Sequence, residues 1–176
     1  MKKLPLLGVL LVLLSGADAA LADAATSIHV DVDKVAAIGE VLPVDGITSA
    51  GQPDEAALRV FADSGYVAVI DMRGPDEDRG LDDEQGLIEA LGMDYVAFPI
   101  VGKEAINIET ARKLDEVLHG IEGPVLVHCG SGNRVGAMLA LRHSLNGADD
   151  DAAIAYGKDA GLTRLVDVVR ERLSEN

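Results

Sequence analysis

The run Val125-Leu126-Val127-His128-Cys129-Gly130-Ser131-Gly132-Asn133-Arg134-Val135-Gly136 constrains the fold more than any other stretch of the chain. Val125 to Val127 is an unbroken apolar segment rich in β-branched residues, the pattern of a strand covered on both faces. A glycine-rich turn follows, and Val135, Met138, Leu139 and Leu145 then fall at helical spacing. Strand, tight loop and helix N-terminus in that order bring backbone N–H groups, the positive end of the helix dipole and the Arg134 guanidinium toward one anion. The loop opens with Cys129, the only cysteine of the chain, and the same groups would stabilise a thiolate there.

The flanking sequence alternates between strand and helix patterns. Ser27 to Val32 alternates apolar and polar residues and reads as a short edge strand; Val41 to Ser49 reads as a turn and a short strand around Ile47. Gly51-Gln52-Pro53 breaks the chain before an amphipathic helix, Pro53 to Ser64, with Asp54 and Glu55 at its positive end. Tyr66 to Ile70 is a buried strand ending in Asp71-Met72-Arg73, at the edge where open α/β sheets place ligand groups. Asp76 to Arg79 and Asp82 to Glu84 form a carboxylate-rich loop that reads as a solvated face and leads into a helix through Leu87, Ile88 and Leu91. Tyr95 to Ile100 is the next strand, and Val101 to Ile106 a loop carrying Lys103 and Glu104. Asn107 caps a helix from Ile108 to Leu118. Two more helices follow the Cys129 unit, Asp150 to Ala160 and Thr163 to Leu173, with Thr163 suited to be an N-cap. This order predicts an α/β fold with a mostly parallel sheet flanked by helices.

Residues 1–22 are set apart from that fold. Lys2 and Lys3 precede an apolar run from Leu4 to Leu14, and Ala17-Asp18-Ala19 or Ala20-Leu21-Ala22 offers a cleavage site, so the segment reads as a signal peptide. The expectation is an exported, periplasmic or secreted product in which residues 23–176 form a single domain. A formal charge of −15 argues against nucleic acid, and against an anionic membrane as a partner once the signal is removed. A small anionic substrate is compatible with it, because a local ring of N–H groups outweighs distant, screened carboxylates. One cysteine in an exported chain closes no intrachain disulfide, and without a second cysteine there is no dithiol pair for exchange. His29, His119 and His143 lack zinc-ligand spacing with Cys129, leaving only its neighbour His128. No metal or organic cofactor is expected.

Several motifs in order carry a family resemblance: Ser49-Ala50-Gly51-Gln52-Pro53, Val69-Ile70-Asp71-Met72-Arg73, Phe98-Pro99-Ile100, and Val127-His128-Cys129 with Arg134-Val135-Gly136. Over roughly residues 40 to 146 the chain resembles the compact cysteine-dependent phosphatases of the protein tyrosine and dual-specificity superfamily. It is most similar to the bacterial phosphatase-like domain found in beta-lactamase hydrolase-like proteins. The resemblance implies a protein tyrosine phosphatase-like fold and hydrolysis of a phosphate ester through a cysteinyl-phosphate. Phosphatases of this type carry five residues between cysteine and arginine, whereas this chain has four, Gly130 to Asn133, a length similar to the active loop of rhodanese sulfurtransferases. Val135 stands where the phosphatases usually place a hydroxyl that helps the thiolate leave.

The candidate site follows. Cys129 is the nucleophile, and Arg134 with the loop residues Gly130, Ser131, Gly132 and Asn133 holds the oxyanion. His128 orients the loop or tunes the cysteine. The proton donor to the leaving group is Glu104, with Asp71 as the alternative. Arg73 and Lys103 read as surface charges. Two further readings stand beside the phosphatase: a sulfurtransferase in which Cys129 carries a persulfide and needs no acid, and a non-catalytic module binding an anion or a partner.

Overall fold

Residues 28–175 are described in the computed structural model; the expected signal peptide, residues 1–22, lies outside them. Among the described residues five parallel strands form one sheet in the order β1-β2-β5-β3-β4: β1 His29–Val30, β2 Ile47–Ala50, β3 Ala68–Asp71, β4 Asp94–Ala97 and β5 Val125–His128. All five run the same way, so their C-terminal ends gather at one edge. There the chain continues into Gly51–Pro53, Met72–Glu77, the segment after Ala97, and the Cys129 loop.

Among the described residues seven helices cover the sheet: α1 Val32–Ile38, α2 Glu55–Asp63, α3 Glu84–Ala90, α4 Ile108–His119, α5 Asn133–Leu145, α6 Asp150–Asp159 and α7 Val166–Ser174. Strand alternation divides them into two layers. Thr48, Ala50, Val69 and Leu126 point to a core built with Val35 of α1, Leu58 and Phe61 of α2, and Ile88 of α3. Ile47, Ile70, Val125, Val127 and Cys129 point to the other, built with α4, α5, α6 and α7. The expected parallel sheet with helices on both faces is what forms, and strand β5, central in the sheet, is buried along its whole length.

The N-terminal stretch departs from the sequence reading. The edge strand is only His29–Val30, because Asp31 turns its carboxylate onto the backbone N–H groups of Asp33 and Lys34 and starts α1 there. Val32, read as the last apolar residue of a strand, begins that helix instead. Thr163 does not cap α7, whose N-cap is Leu165. Its N–H and hydroxyl both donate to Asn133 Oδ1, at 2.8 and 3.2 Å.

Helix α5 is enclosed by its neighbours, with Val135 to Leu141 all buried. Glycine permits this. A Cβ on Gly136 would collide with the Leu162 amide nitrogen and sit 2.6 Å from the Gly157 carbonyl oxygen; one on Gly157 would sit 2.6 Å from Ala140 Cβ. The two helices therefore touch backbone to backbone. Gly136→Ala is expected to destabilise the protein by about 3 kcal/mol, at the upper end for overpacking because the obstruction is main chain, as read by urea unfolding. A loss below about 1 kcal/mol would mean that α5 and α6 can separate at little cost.

Candidate active site

The site grows from the C-terminal end of β5. Gly132 adopts φ 76°, a left-handed conformation that glycine takes without strain, and turns the chain from the loop into α5. No side chain caps this helix, and the first N–H within it to find a carbonyl is that of Gly136, bonded to Gly132 O at 2.9 Å. The amides of Asn133, Arg134 and Val135 thus form an uncapped helix end directly after the cysteine. Two neighbours hold the loop. Ser131 bridges to Gly51 after β2, and the His29 ring packs so closely on Gly132 that a Cβ there would collide with it.

Cys129 is 1% exposed, with its sulfur on the α5 side of the sheet. Arg134, on the first turn of α5, brings Nη2 to 3.8 Å from where a Gly130 Cβ would be, on the loop that Cys129 opens, and its positive charge is favoured by Cys129. The guanidinium is fixed from behind. Its Nη1 donates to Met72 O and Ile100 O, both at 3.2 Å, and to Glu77 Oε1 at 2.6 Å; Nη2 donates to Glu77 Oε2 at 2.6 Å. The Arg134 hydrogen bond holds the Glu77 carboxyl below its usual range. Cys129 and Arg134, expected together, are together.

Other expected residues stand elsewhere. His128 is fully buried and, one residue before Cys129 on the same strand, projects to the opposite sheet face. It therefore touches neither sulfur nor substrate, and any influence passes through the main chain. Asn133 offers no side-chain oxygen to a substrate, because Oδ1 accepts from Thr163 and from the Arg164 N–H at 3.0 Å. Glu104 is exposed on the loop after Ile100, its carboxylate lying 2.8 Å from where a Gly102 Cβ would be. Lys103 is exposed as expected, but Arg73 is not a surface charge: it is 2% exposed.

Asp71 is not placed to give up a proton. It is 1% exposed and accepts from the Arg73 amide and Nε, both at 2.9 Å, from Arg73 Nη2 and the Tyr95 hydroxyl, both at 3.1 Å, and from Arg79. Burial pushes its carboxyl upward, but the hydrogen bonds from Arg73 and the charges of His128 and Arg73 outweigh that and hold it down at about 2. A carboxylate kept ionised in this way is a structural anchor. Arg73 reaches from Asp71 to Glu84, which is 3% exposed and pushed up to about 7 by burial. Asp71, Glu84 and His128 present metal-ligand atoms within 4.8 Å of one another. Five donors already occupy Asp71 and two guanidiniums adjoin the group, so it does not suit a cation.

Glu77, Arg79 and Glu84 escape a reading of the sequence that treats the charged runs Asp76 to Arg79 and Asp82 to Glu84 as a solvated face. Only their folded positions distinguish them from the exposed carboxylates beside them. Asp71 and Arg73, two residues apart at a strand end and so on one face, were the available hint of a buried pair.

With this geometry established, similarity to known proteins is informative. Residues 42–146 match the family described as beta-lactamase hydrolase-like protein, phosphatase-like domain. A beta-lactamase hydrolase-like protein of Xylella fastidiosa is 31% identical over 139 residues, 76% of this chain and 31% of the relative. One from Agrobacterium fabrum is 30% identical over 120 residues, 66% of this chain and 28% of the relative. The chain thus spans about a third of the length of these relatives. Among solved structures, a candidate phosphatase of Neisseria meningitidis superposes with a TM-score of 0.60 at 20% identity, covering 69% of this chain and 89% of that one. A kinase associated phosphatase with serine for its catalytic-site cysteine gives 0.55 at 15% identity, covering 70% and 79%. The protein tyrosine phosphatase-like fold is shared with both.

The depressed Asp71 carboxyl has a consequence for stability. Its contribution is complete above the ordinary carboxylate value of 3.8 and is lost as the pH falls through about 2. Asp71→Asn is expected to cost at least about 2 kcal/mol at pH 7, with the gap to the native protein closing between pH 4 and 2, as followed by denaturant unfolding. A gap independent of pH would show that the ionised carboxyl is not what stabilises.

Proposed function

The chain belongs to the family of phosphatase-like domains of beta-lactamase hydrolase-like proteins, and we propose that it is a cysteine-dependent hydrolase of phosphate esters. The observation that carries this reading is the convergence of the Arg134 guanidinium and the Cys129 loop at the uncapped N-terminus of α5, with Nη2 over Gly130. A tetrahedral oxyanion there meets a guanidinium, the helix dipole and the loop amides at once.

In the proposed reaction the Cys129 sulfur attacks phosphorus in line. The S–P bond forms as the P–O bond to the leaving group breaks, and the leaving oxygen takes a proton from Glu104. Arg134 and the N–H groups from Gly130 to Arg134 hold the non-bridging oxygens. Water then attacks the cysteinyl-phosphate, the S–P bond breaks, and inorganic phosphate leaves. Glu77 keeps the guanidinium in place. Glu104 is proposed because it lies on the same segment after β4 as Ile100, whose carbonyl accepts from Arg134, and because Asp71 is committed to its two arginines. The substrate is a phosphorylated small molecule, and the chain is proposed to act after export, on the strength of residues 1–22.

A second reading is favoured by one observation, the four residues between Cys129 and Arg134. A shorter loop encloses a smaller ligand, and sulfur transfer asks for no proton donor. Cys129 would attack the outer sulfur of thiosulfate, release sulfite, and pass the sulfur from its persulfide to cyanide as thiocyanate.

Two assays on the purified chain separate these readings. Release of p-nitrophenol from p-nitrophenyl phosphate supports the hydrolase; thiocyanate formation from thiosulfate and cyanide supports the transferase. Cys129→Ser abolishes whichever is present, and activity surviving that change removes the nucleophile. Failure of both assays with retained phosphate binding would leave an anion-binding module. Arg134→Lys is expected to lower kcat/KM by about 100-fold or more, since the ammonium cannot reproduce the fork. Glu77→Gln should cost roughly tenfold, because the arginine stays but loses its ionic partner. Equal losses in the two variants would mean that Glu77 itself acts on substrate.

A further inference from the structure

On the sheet face away from the sulfur, Glu84 Oε1 and His128 Nε2 are both buried without a hydrogen-bond partner, and they lie 3.5 Å apart. Neither can turn elsewhere. The other Glu84 oxygen is bound by Arg73, and the His128 ring is fully enclosed. Asp71 Oδ1, at 3.9 Å from Nε2, already accepts from the Arg73 amide and Nε. Leaving two such groups unpaired is costly, and a single proton between them satisfies both. Either Nε2–H donates to the Glu84 carboxylate, or a protonated Glu84 donates to Nε2.

The charges around the couple decide between these states. It is faced by Asp71 from β3, Arg73 and Arg79 from the following loop, Tyr95 from β4, and the Cys129 main chain on its own strand. With Glu84 ionised and the ring neutral, two carboxylates balance two guanidiniums. An added proton leaves the cluster with one net positive charge. Burial opposes an imidazolium, holding His128 down at about 4, and raises the Glu84 carboxyl to about 7, so the added proton goes to Glu84. A neutral ring accepting at Nε2 must then carry its own proton at Nδ1, the nitrogen nearer the main chain.

We propose that Glu84 is a positioning residue for the nucleophile: protonation of its carboxyl moves the His128 proton from Nε2 to Nδ1, toward the main chain that carries Cys129. Nδ1 has no partner in the structure, and the Cys129 backbone favours a proton on the ring. The tautomer exchange therefore alters the surroundings of the peptide from which the oxyanion loop departs. This concerns the site of the proposed function, yet its readouts need no substrate, so its failure and the failure of the hydrolase reading are separately visible.

The test is a pH titration from 5 to 9 of the full chain labelled with 15N-histidine, His128 being assigned by comparison with His128→Gln. As the pH falls through neutrality, Nε2 is expected to change from protonated to unprotonated while Nδ1 does the reverse. An ordinary histidine gains a proton over the same range. Glu84→Gln should hold the acid-side tautomer throughout, its amide N–H replacing the carboxyl O–H. A His128 imidazolium, or one unchanging tautomer in the native protein, would overturn the proposal. The native titration decides this even if Glu84→Gln does not fold. The rate of iodoacetamide alkylation of Cys129 is expected to show a roughly threefold step at the pH of the tautomer exchange, absent in Glu84→Gln. A tautomer exchange that alkylation ignores would remove the positioning role.

Discussion

The Asp71 carboxylate, locked between Arg73 and Arg79, is the interaction from which the geometry of the site descends. Both arginines come from the segment that follows β3, so satisfying this one buried anion fixes where that segment runs. Arg73 also donates to Arg79 O at 3.0 Å, which closes the loop on itself. Within the closed loop Glu77 faces outward onto Arg134, and Arg134 in turn faces Cys129. A buried ion network of this kind is weak evidence for net stability, because desolvation offsets most of the attraction. Its service here is to specify one conformation in a stretch that has no regular secondary structure.

Beside this sits the alternation of a single strand. His128 and Cys129 are neighbours in sequence and occupy opposite layers of the molecule, one among charged groups, the other against the aliphatic core. The same step of one residue separates Asp71 from Met72 on the adjacent strand, which is why the ionic cluster collects on one face only. The thiol and the buried acids are thereby set apart from each other by the sheet.

Much of this could be read from the chain before it was folded. The β5-loop-α5 unit announces itself by residues that only such a turn needs, and the parallel sheet follows from alternating apolar runs of strand and helix length. The cap Asn107 stands where a short polar residue preceding apolar periodicity predicts it. The N-terminal helix was hidden because Val32 continues a strand-like alternation, and only the Asp31 side chain, through a purely local bond, ends the strand. Glu77, Arg79 and Glu84 were hidden for a different reason. A charged residue's partner lies far away in sequence, and nothing in a run of acids reveals which member will meet a guanidinium. His128 misled because adjacency to a nucleophile suggests contact, whereas adjacency in a strand enforces separation.

His29 lies before the stretch that matches the family, yet its ring packs against Gly132 of the loop after Cys129 and its Nδ1 bonds Ser49 Oγ at 3.2 Å. Thr163, beyond the other end of that stretch, reaches the loop through Asn133. Cys129 and Arg134 are thus internal to residues 42–146, while two of the braces around them come from outside that stretch. The candidate site of this chain is consequently not portable: transplanted as residues 42–146 alone, it would keep Cys129 and Arg134 and lose part of its scaffolding.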